Sequence, residues 1–361
     1  MDTQCNTQTP YRQGDEALLS PAYGKLHFLW AELTPRCNLT CSHCYADSGP
    51  SMPLSRHMQL EDWIGILNQA ADLGCRRVQF VGGEPTIHPG LAELIEHAHF
   101  RRYSTIEVFT NGTAFTAKLK ETFKRHQVCL AFSFYAARED VHDLITGHKG
   151  SFSKTLASIQ WAVEAGIPVR AVIVAMRANA GYIDKAKRFL QRYGVTSIRV
   201  DRIRGIGRGS QEAGEKELLN ELCGRCGQGQ LCISHDGRAY PCIFSWSMPV
   251  GHARDGLETI VCGEQLGSTR TRIEAIKNTF RPKVVRSNSR YSNASAIPCG
   301  PDAPEPPCGP EAPEPPCGPE TPKPPCGPEA PEPPCGPEAP EPPCGPETPE
   351  PPCGPEAPEP P

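Results

Sequence analysis

Between residues 25 and 209, apolar segments of strand length alternate with segments of helical spacing, and this alternation limits the possible folds more than any other feature. The helical segments are residues 59–74, 90–100, 117–125, 153–165 and 182–193, and the strands are residues 25–33, 76–81, 105–109, 128–134, 169–175 and 196–200. Alternating strands and helices build right-handed βαβ units around a parallel sheet. The pattern therefore predicts an α/β fold, a partial (β/α)6 barrel of the TIM type.

Parallel sheets place their functional residues at the carboxyl ends of the strands. The most unusual motifs of this chain lie there. Cys37-x3-Cys41-x2-Cys44 follows the first predicted strand, and Gly82-Gly83-Glu84-Pro85 follows the second. Asn111 and Ser133 lie at the ends of the third and fourth strands, so we expect both to contact a bound cofactor.

Cys37, Cys41 and Cys44 lie within eight residues of one another. Three thiolates at this spacing can bind three irons of a four-iron cluster and leave the fourth iron open to another ligand. A zinc site would need a fourth Cys or His, for which His43 is poorly spaced beside Cys44. Buried thiols without a metal are the third interpretation. The cysteines alone favour the iron–sulfur cluster.

A second group of five cysteines lies downstream. The spacing is Cys223-x2-Cys226-x5-Cys232-x9-Cys242-x19-Cys262. Asp236 and Gly237 precede Cys242 in a segment typical of a hairpin turn. The group is consistent with an iron–sulfur site or with a structural zinc ribbon, since Cys-x2-Cys suits zinc as well.

The loop from Arg36 to Tyr45 resembles the CxxxCxxC signature of the radical S-adenosylmethionine (radical SAM) superfamily. Gly82–Pro85 matches the GGEP motif of that superfamily, and the resemblance covers about residues 25–209, including the order of the strands. Cys226-x10-Gly237-x4-Cys242 is similar to the first half of a SPASM or twitch domain, which extends many radical SAM peptide maturases.

The resemblance implies a cofactor set. Cys37, Cys41 and Cys44 would hold a [4Fe–4S] cluster, and its open iron would bind S-adenosylmethionine. The motif made of Gly82, Gly83, Glu84 and Pro85 would meet the amino group of the methionine moiety. The cysteines are too few for a full SPASM domain, so we expect one auxiliary cluster. Its expected ligands are Cys223, Cys226, Cys242 and one of Cys232 or Cys262.

These patterns divide the chain into five parts. Residues 1–24 form an N-terminal extension, 25–209 the radical SAM core, 210–262 a small cysteine-rich Fe–S domain and 263–298 a linker. Within this scheme, the glycines of residues 205–209 predict a flexible connection. Residues 299–361 are seven copies of a nine-residue unit, Cys-Gly-Pro-Asp/Glu-Ala/Thr-Pro-Glu/Lys-Pro-Pro.

The repeat tail holds 28 of the 40 prolines and 7 of the 18 cysteines. Apart from its thiols, it has no apolar side chain larger than proline, so we expect it to be disordered. Its 13 acidic residues and one lysine give a net charge of −12, against −4 for the whole chain. The rest of the protein is therefore mildly basic, at +8. Cluster loading, partner capture and modification of the tail itself remain alternative roles.

The resemblance implies an enzyme that cleaves S-adenosylmethionine and removes hydrogen from a substrate, most often a peptide in natural-product biosynthesis. The alternatives are a radical SAM enzyme for a small molecule, such as a sugar or nucleoside acid, and a non-catalytic metal-binding protein. We expect a low-potential donor such as ferredoxin or flavodoxin, and no nucleic acid or membrane partner. Residues 1–14 lack an apolar signal core, which favours a cytoplasmic location.

Overall fold

The computed structural model describes residues 25–54, 57–213 and 218–279. All of them belong to one compact unit of the chain, Met1–Glu305. The N-terminal extension, residues 280–298 and the repeat tail lie outside the described residues, and so does the prediction of disorder made for the tail. In the described part of the chain, no helix is long and apolar enough to cross a membrane.

The centre of the fold is a nine-stranded sheet with the order β6-β5-β4-β3-β2-β1-β7-β8-β9. The seven strands from β6 to β7 in this order run parallel to one another, whereas β8 is antiparallel to β7 and β9 is antiparallel to β8. The strands are β1 Phe28–Glu32, β2 Arg77–Val81, β3 Thr105–Thr110, β4 Cys129–Ser133, β5 Val169–Ala175, β6 Ser197–Arg202, β7 Gln230–Ile233, β8 Arg238–Tyr240 and β9 Gly251–His252.

Helices connect the first six strands. They are α1 Leu60–Asp72, α2 Leu91–Phe100, α3 Ala117–Arg125, α4 Glu139–Thr146, α5 Ser151–Glu164 and α6 Ile183–Arg192, followed by α7 Ser210–Ala213, α8 Leu257–Cys262 and α9 Glu264–Thr279. The prediction of an α/β fold related to the TIM barrel is confirmed. The bounds of β5 and α3 agree with those read from the sequence.

The two faces of the sheet carry different side chains, because successive residues of a strand point to opposite faces. Leu29, Val108 and Phe132 are fully buried against the helices, in the main hydrophobic core. The alternate positions form the other face, which we call the inner face. Glu32 and Glu107 are among them, so the inner face is the polar one on which a site can form.

Short-range signals fix the helix ends. The Thr116 hydroxyl accepts a hydrogen bond from the Leu119 amide and caps α3. Gly147 ends α4 with φ of 68°, the left-handed conformation that glycine adopts without strain. α4 itself was not predicted, because it is only eight residues long and follows β4 within a loop that shows no clear period.

The cysteine-rich segment continues the same sheet. β7 pairs in parallel with β1, and Trp30 is the partner of Cys232 in that register. β7 and β8 form the predicted hairpin around Asp236 and Gly237. The segment therefore adds strands beside β1, where the first group of cysteines begins.

Two predictions for the connecting segments are wrong. Residues 264–279 were predicted as part of a linker, but they form α9, which buries Leu266 and Ile273. The flexible connection at residues 205–209 is instead a compact turn, with a 3-10 helix at Gly207–Gly209. Both segments gain fixed positions from tertiary packing, which local composition does not reveal.

Candidate cofactor site

The first group of cysteines lies in an irregular loop at the carboxyl end of β1, against the end of β2. The Gly83 amide donates to the Thr34 carbonyl at 2.7 Å, and the Glu84 amide donates to the Arg36 carbonyl at 2.8 Å. A Cβ atom on Gly83 would lie 2.0 Å from the Arg36 carbonyl oxygen. The glycines of this motif thus bring two loops into backbone contact, as close as peptide groups can pack.

Cys37, Cys41 and Cys44 have free thiols. Burial, followed by the nearby Glu84 carboxyl, raises the pKa of Cys37 to about 12. Burial and the other two thiols raise the pKa of Cys41 to about 12. The mutual influence of the three sulfurs shows that they are neighbours. Without a metal the thiols of Cys37 and Cys41 keep their protons, and binding a metal as thiolates therefore releases protons.

These thiols fit a cluster better than a single ion. Among the described residues, no group of three or more His, Cys, Asp or Glu side chains is arranged to hold one metal ion. One ion needs its ligand atoms about 2.0–2.3 Å from a common centre. A cluster accepts a wider set, since each thiolate binds a different iron. The three neighbouring thiols of one loop are a suitable donor set for three irons.

Glu84 turns away from the cysteines into a buried network. Its carboxyl accepts hydrogen bonds from the Thr86 amide at 3.1 Å, the Thr86 and Thr110 hydroxyls at 2.6 Å and the Asn111 amide at 2.8 Å. Burial raises the pKa of Glu84, although these hydrogen bonds oppose the shift. Glu84 therefore joins the loop after β2 to the end of β3. Pro85 begins the 3-10 turn that follows.

Asn111 and Ser133 both lie beside the cysteine loop. The Asn111 side-chain amide donates to the Cys37 sulfur at 3.7 Å and to Asn38 Oδ1 at 2.9 Å. Ser133, at the end of β4, hydrogen-bonds the buried Tyr135 side chain, which also hydrogen-bonds the Cys41 thiol. The structure thus gathers the ends of β3 and β4 around two of the three sulfurs.

His43 lies between Cys41 and Cys44. Its ring meets the edge of Tyr135, with the ring centroids 4.8 Å apart. Burial, and then the charge of Arg208, lower the pKa of His43 to about 4. The Nδ1 atom of the ring is buried without a hydrogen-bond partner. A neutral ring with an unused polar atom is suited to contact a ligand.

Glu32 occupies the space between the two groups of cysteines. It is only 2% exposed, and the Tyr45 hydroxyl donates to its Oε1 at 3.3 Å. The Cys232 and Trp246 side chains hydrogen-bond it as well. Burial raises the pKa of Glu32 to about 8. A protonated carboxyl thus links the loop that carries Cys44 to strand β7.

The second group of cysteines is brought together only in part. The Cys226 thiol hydrogen-bonds both Cys223 and Cys242, and all three pack in one small cluster with Ile273. Cys232 is fully buried, and burial raises the pKa of its thiol. The nearby Cys242 raises that pKa further. Cys262 is exposed at the end of α8.

Several site residues were not predicted from the sequence. Tyr135 and Tyr45 are ordinary core aromatics by composition, although Tyr45 directly follows Cys44. Glu32 carried a signal that was available, a carboxylate at the end of an apolar strand. Asp201 and Arg204 form an internal ion pair, with contacts of 3.1 and 3.2 Å between the guanidinium and the carboxylate.

Comparison with protein families gives one match for this part of the chain. Residues 31–190 match the model of the radical SAM superfamily. The match contains the cysteine loop, the Gly82–Pro85 motif and the ends of β3 and β4. It ends before the second group of cysteines.

Curated relatives match over about half of the chain. The subtilosin biosynthesis protein AlbA of Bacillus subtilis is 28% identical over 180 residues, which are 49% of this chain and 40% of AlbA. The PqqA peptide cyclase of Rhizobium meliloti is 32% identical over 161 residues, 43% of this chain and 41% of the cyclase. The mycofactocin maturase MftC of Mycobacterium tuberculosis is 30% identical over 181 residues, 50% and 45% of the two chains. The chain spans less than half the length of these relatives.

Solved structures share the fold at low identity. Streptococcus suis SuiB bound to S-adenosylmethionine aligns with a TM-score of 0.59 and 16% identity, over 69% of this chain and 68% of SuiB. anSMEcpe bound to S-adenosylmethionine and a peptide aligns with a TM-score of 0.54 and 17% identity, over 69% of this chain and 83% of anSMEcpe. At these identities the comparison shows the fold alone.

Proposed function

We propose that the protein is a radical SAM enzyme that modifies a peptide, and the premise of the proposal is that residues 31–190 match the model of the radical SAM superfamily. The observation that carries the proposal is the packing of the loop that carries three neighbouring free thiols against the Gly82–Pro85 motif, at the carboxyl edge of a parallel sheet. Sites of such sheets lie at that edge.

In this proposal, Cys37, Cys41 and Cys44 hold the [4Fe–4S] cluster. When bound, such a cluster supplies the electron that cleaves S-adenosylmethionine to methionine and a 5′-deoxyadenosyl radical. The chain supplies the thiolates, the hydrogen bonds to their sulfurs and a buried surrounding. The Asn111 amide and the Tyr135 hydroxyl each reach one sulfur, and hydrogen bonds of this kind tune the reduction potential of a cluster.

S-adenosylmethionine would occupy the space bordered by the Gly82–Pro85 backbone, Asn111 and Ser133. The Thr110 hydroxyl donates a hydrogen bond to the Glu84 carboxylate. The motif would therefore bind S-adenosylmethionine through its backbone groups and not through this carboxylate. The contacting rings of His43 and Tyr135 supply an aromatic wall beside Cys41. Exclusion of water by such walls protects a radical from side reactions.

The names of the relatives support a peptide substrate. The relatives are a bacteriocin biosynthesis protein, a peptide cyclase and a mycofactocin maturase, and one structural neighbour is SuiB bound to its precursor peptide SuiA. The alternative of a small-molecule substrate has no comparable support. We further propose a cytoplasmic location, where a ferredoxin or flavodoxin supplies the electron.

The test of this proposal is formation of 5′-deoxyadenosine. The full chain is purified without oxygen, loaded with iron and sulfide, and mixed with S-adenosylmethionine and dithionite. Mass spectrometry should detect 5′-deoxyadenosine from the wild type and none above background from Cys41→Ala, because the cofactor carries the chemistry. Cys75→Ala is the matched control, since Cys75 is a buried free thiol outside the site.

The substrate class is tested in the same assay. A short peptide encoded beside the gene should accelerate turnover and change its own mass. Turnover with a sugar or nucleoside acid and no response to the peptide would favour the small-molecule alternative. A protein that binds iron but forms no 5′-deoxyadenosine with either class would be the metal-binding protein of the third alternative.

For the second group of cysteines we propose one auxiliary cluster on Cys223, Cys226, Cys242 and Cys232. The contacts among the first three and the proximity of Cys232 to Cys242 support this set over one with Cys262. Cys242→Ala should lose about half of the bound iron, because one of two four-iron clusters is lost. Cys262→Ala should keep all of it. Iron loss in Cys262→Ala with none in Cys232→Ala would reverse the choice of the fourth ligand.

A further inference from the structure

The turn at residues 205–209 reaches back across the sheet to the cysteine loop. The Arg208 guanidinium donates from Nε to the Cys41 carbonyl at 2.8 Å and from its two terminal nitrogens to Asp47 Oδ1 at 2.8 Å and the Ser48 carbonyl at 2.7 Å. One side chain therefore binds the middle and the end of the loop at once. The rigid fork geometry of arginine suits such multiple contacts.

The backbone of the same turn fits against the loop as closely as the side chain does. The Arg208 amide donates to the Cys44 carbonyl at 3.0 Å. A Cβ atom on Gly207 would lie 2.4 Å from that carbonyl oxygen, and Gly207 has φ of 55°. The glycines of residues 205–209 therefore allow the backbone of this turn to approach the cysteine loop closely. Close packing, and not flexibility, explains why this segment is rich in glycine.

The far side of the loop is held by α4. The Thr40 amide donates to the Thr146 carbonyl at 3.0 Å, and the Ser42 amide donates to the Ile145 carbonyl at 3.0 Å. The loop has no regular hydrogen-bond ladder of its own to fix its shape. It is clamped between the end of α4 and the Arg208 turn, with Cys41 and Cys44 on the side of Arg208.

Arg208 also places a positive charge beside the sulfurs. Its Nε atom lies 2.8 Å from the carbonyl oxygen of Cys41, one of the three cysteines of the loop. A four-iron cluster on three thiolates is an anion, and reduction adds one more negative charge. A nearby cation stabilises the reduced form more than the oxidised form, so it raises the reduction potential. The exposed Asp47 carboxylate, 65% accessible, offsets part of this effect.

We propose that Arg208 is a positioning residue that locks the cysteine loop in its cluster-binding shape and raises the reduction potential of the cluster. The locking role depends only on the contacts described above. The electrostatic role rests on the function proposed for Cys37, Cys41 and Cys44. The two roles are separable, because Lys keeps the charge of Arg but not its fork.

The locking role is tested without a cluster. In the metal-free full chain, iodoacetamide should alkylate Cys41 and Cys44 about tenfold faster in Arg208→Gln than in the wild type, since opening the loop exposes thiols that are now partly shielded. Peptide mapping by mass spectrometry reads each site. Arg208→Lys should react nearly as fast as Arg208→Gln, and the exposed Arg125→Gln on α3 should match the wild type. Unchanged alkylation in Arg208→Gln overturns the locking role.

The electrostatic role is tested in the loaded protein by electron paramagnetic resonance at poised potentials. Arg208→Gln should hold about tenfold less reduced cluster at a given potential, a shift of about 59 mV to lower values for a one-electron couple. Arg208→Lys should restore the potential. Asp47→Asn removes the charge but keeps Oδ1 as an acceptor for Arg208, and it should shift the potential upward. Equal potentials in the wild type and Arg208→Gln overturn the electrostatic role.

A different result would refute the proposed function of the three cysteines. Iron signals that persist unchanged in Cys41→Ala would show that no cluster sits on this loop, and would refute that function together with the electrostatic role. The alkylation rates would still decide whether Arg208 locks the loop.

Discussion

Gly83→Ala is expected to lower the rate of 5′-deoxyadenosine formation by at least about 100-fold, the loss that a displacement of about 1 Å can cause in a catalytic site. The added Cβ would lie 2.0 Å from the Arg36 carbonyl oxygen and 2.4 Å from its carbonyl carbon. Both are backbone atoms of the cysteine loop, so no flexible side chain can move aside. The loop itself must shift, and Cys37 must shift with it because Cys37 directly follows Arg36.

The matched control for this prediction is Gly65→Ala. Gly65 lies inside α1, and a Cβ atom built there meets nothing within 4 Å. Replacing a helical glycine by alanine should stabilise the protein by about 0.5–1 kcal/mol. The two variants add the same methyl group, so iron content and turnover should differ between them for steric reasons alone. Normal iron content and normal turnover in Gly83→Ala would show that the contact with Arg36 is not needed for the site.

Much of the scaffold was predictable because its signals are local. The segments predicted as strands at 76–81 and 105–109 become β2 and β3 with shifts of one residue at one end. Their apolar residues pack on the helices, and strand-by-strand order follows from the βαβ rule. The cysteine loop could be placed at the carboxyl edge of the sheet for the same reason.

The residues that complete the site could not be predicted in this way. Arg208 and Cys41 are 167 positions apart in the sequence, and no local period connects them. Cys232 reaches Glu32 only because β7 pairs with β1. A glycine-rich segment is compatible with a flexible link and with close packing, and tertiary contacts decide between the two. The sequence therefore predicts which strands end at the site better than which distant side chains meet there.

Glu107→Gln is expected to destabilise the protein by about 3 kcal/mol, because it leaves the charge of Arg170 buried without its partner. Glu107 on β3 and Arg170 on β5 face each other across β4 on the inner face of the sheet. Two hydrogen bonds of 2.7 Å join the guanidinium to the two carboxylate oxygens. The Gln79 amide on β2 donates to the same carboxylate. The side chains are only 18% and 15% exposed, so water compensates little.

Replacing both partners should behave differently. The double variant Glu107→Leu/Arg170→Met removes both charges and their desolvation cost, and it should recover most of the lost stability. Urea unfolding under reducing conditions measures each free energy of unfolding. A matched exposed pair is Arg125 and Glu121 on α3, which are 60% and 64% exposed. Glu121→Gln should change the free energy by less than about 0.5 kcal/mol.

The effect of pH provides an independent test of the Glu107 pair. Burial alone would raise the pKa of Glu107, but the charge and hydrogen bonds of Arg170, with that of Gln79, outweigh it and hold the pKa below its ordinary value of 4.5. The stabilisation is therefore present above pH 4.5 and is lost as pH falls through the lower, folded-state pKa. Gln has no proton to gain there. The difference in the free energy of unfolding between the wild type and Glu107→Gln should therefore become smaller below pH 4.5. A difference that stays constant with pH would mean that the pair does not act through charge.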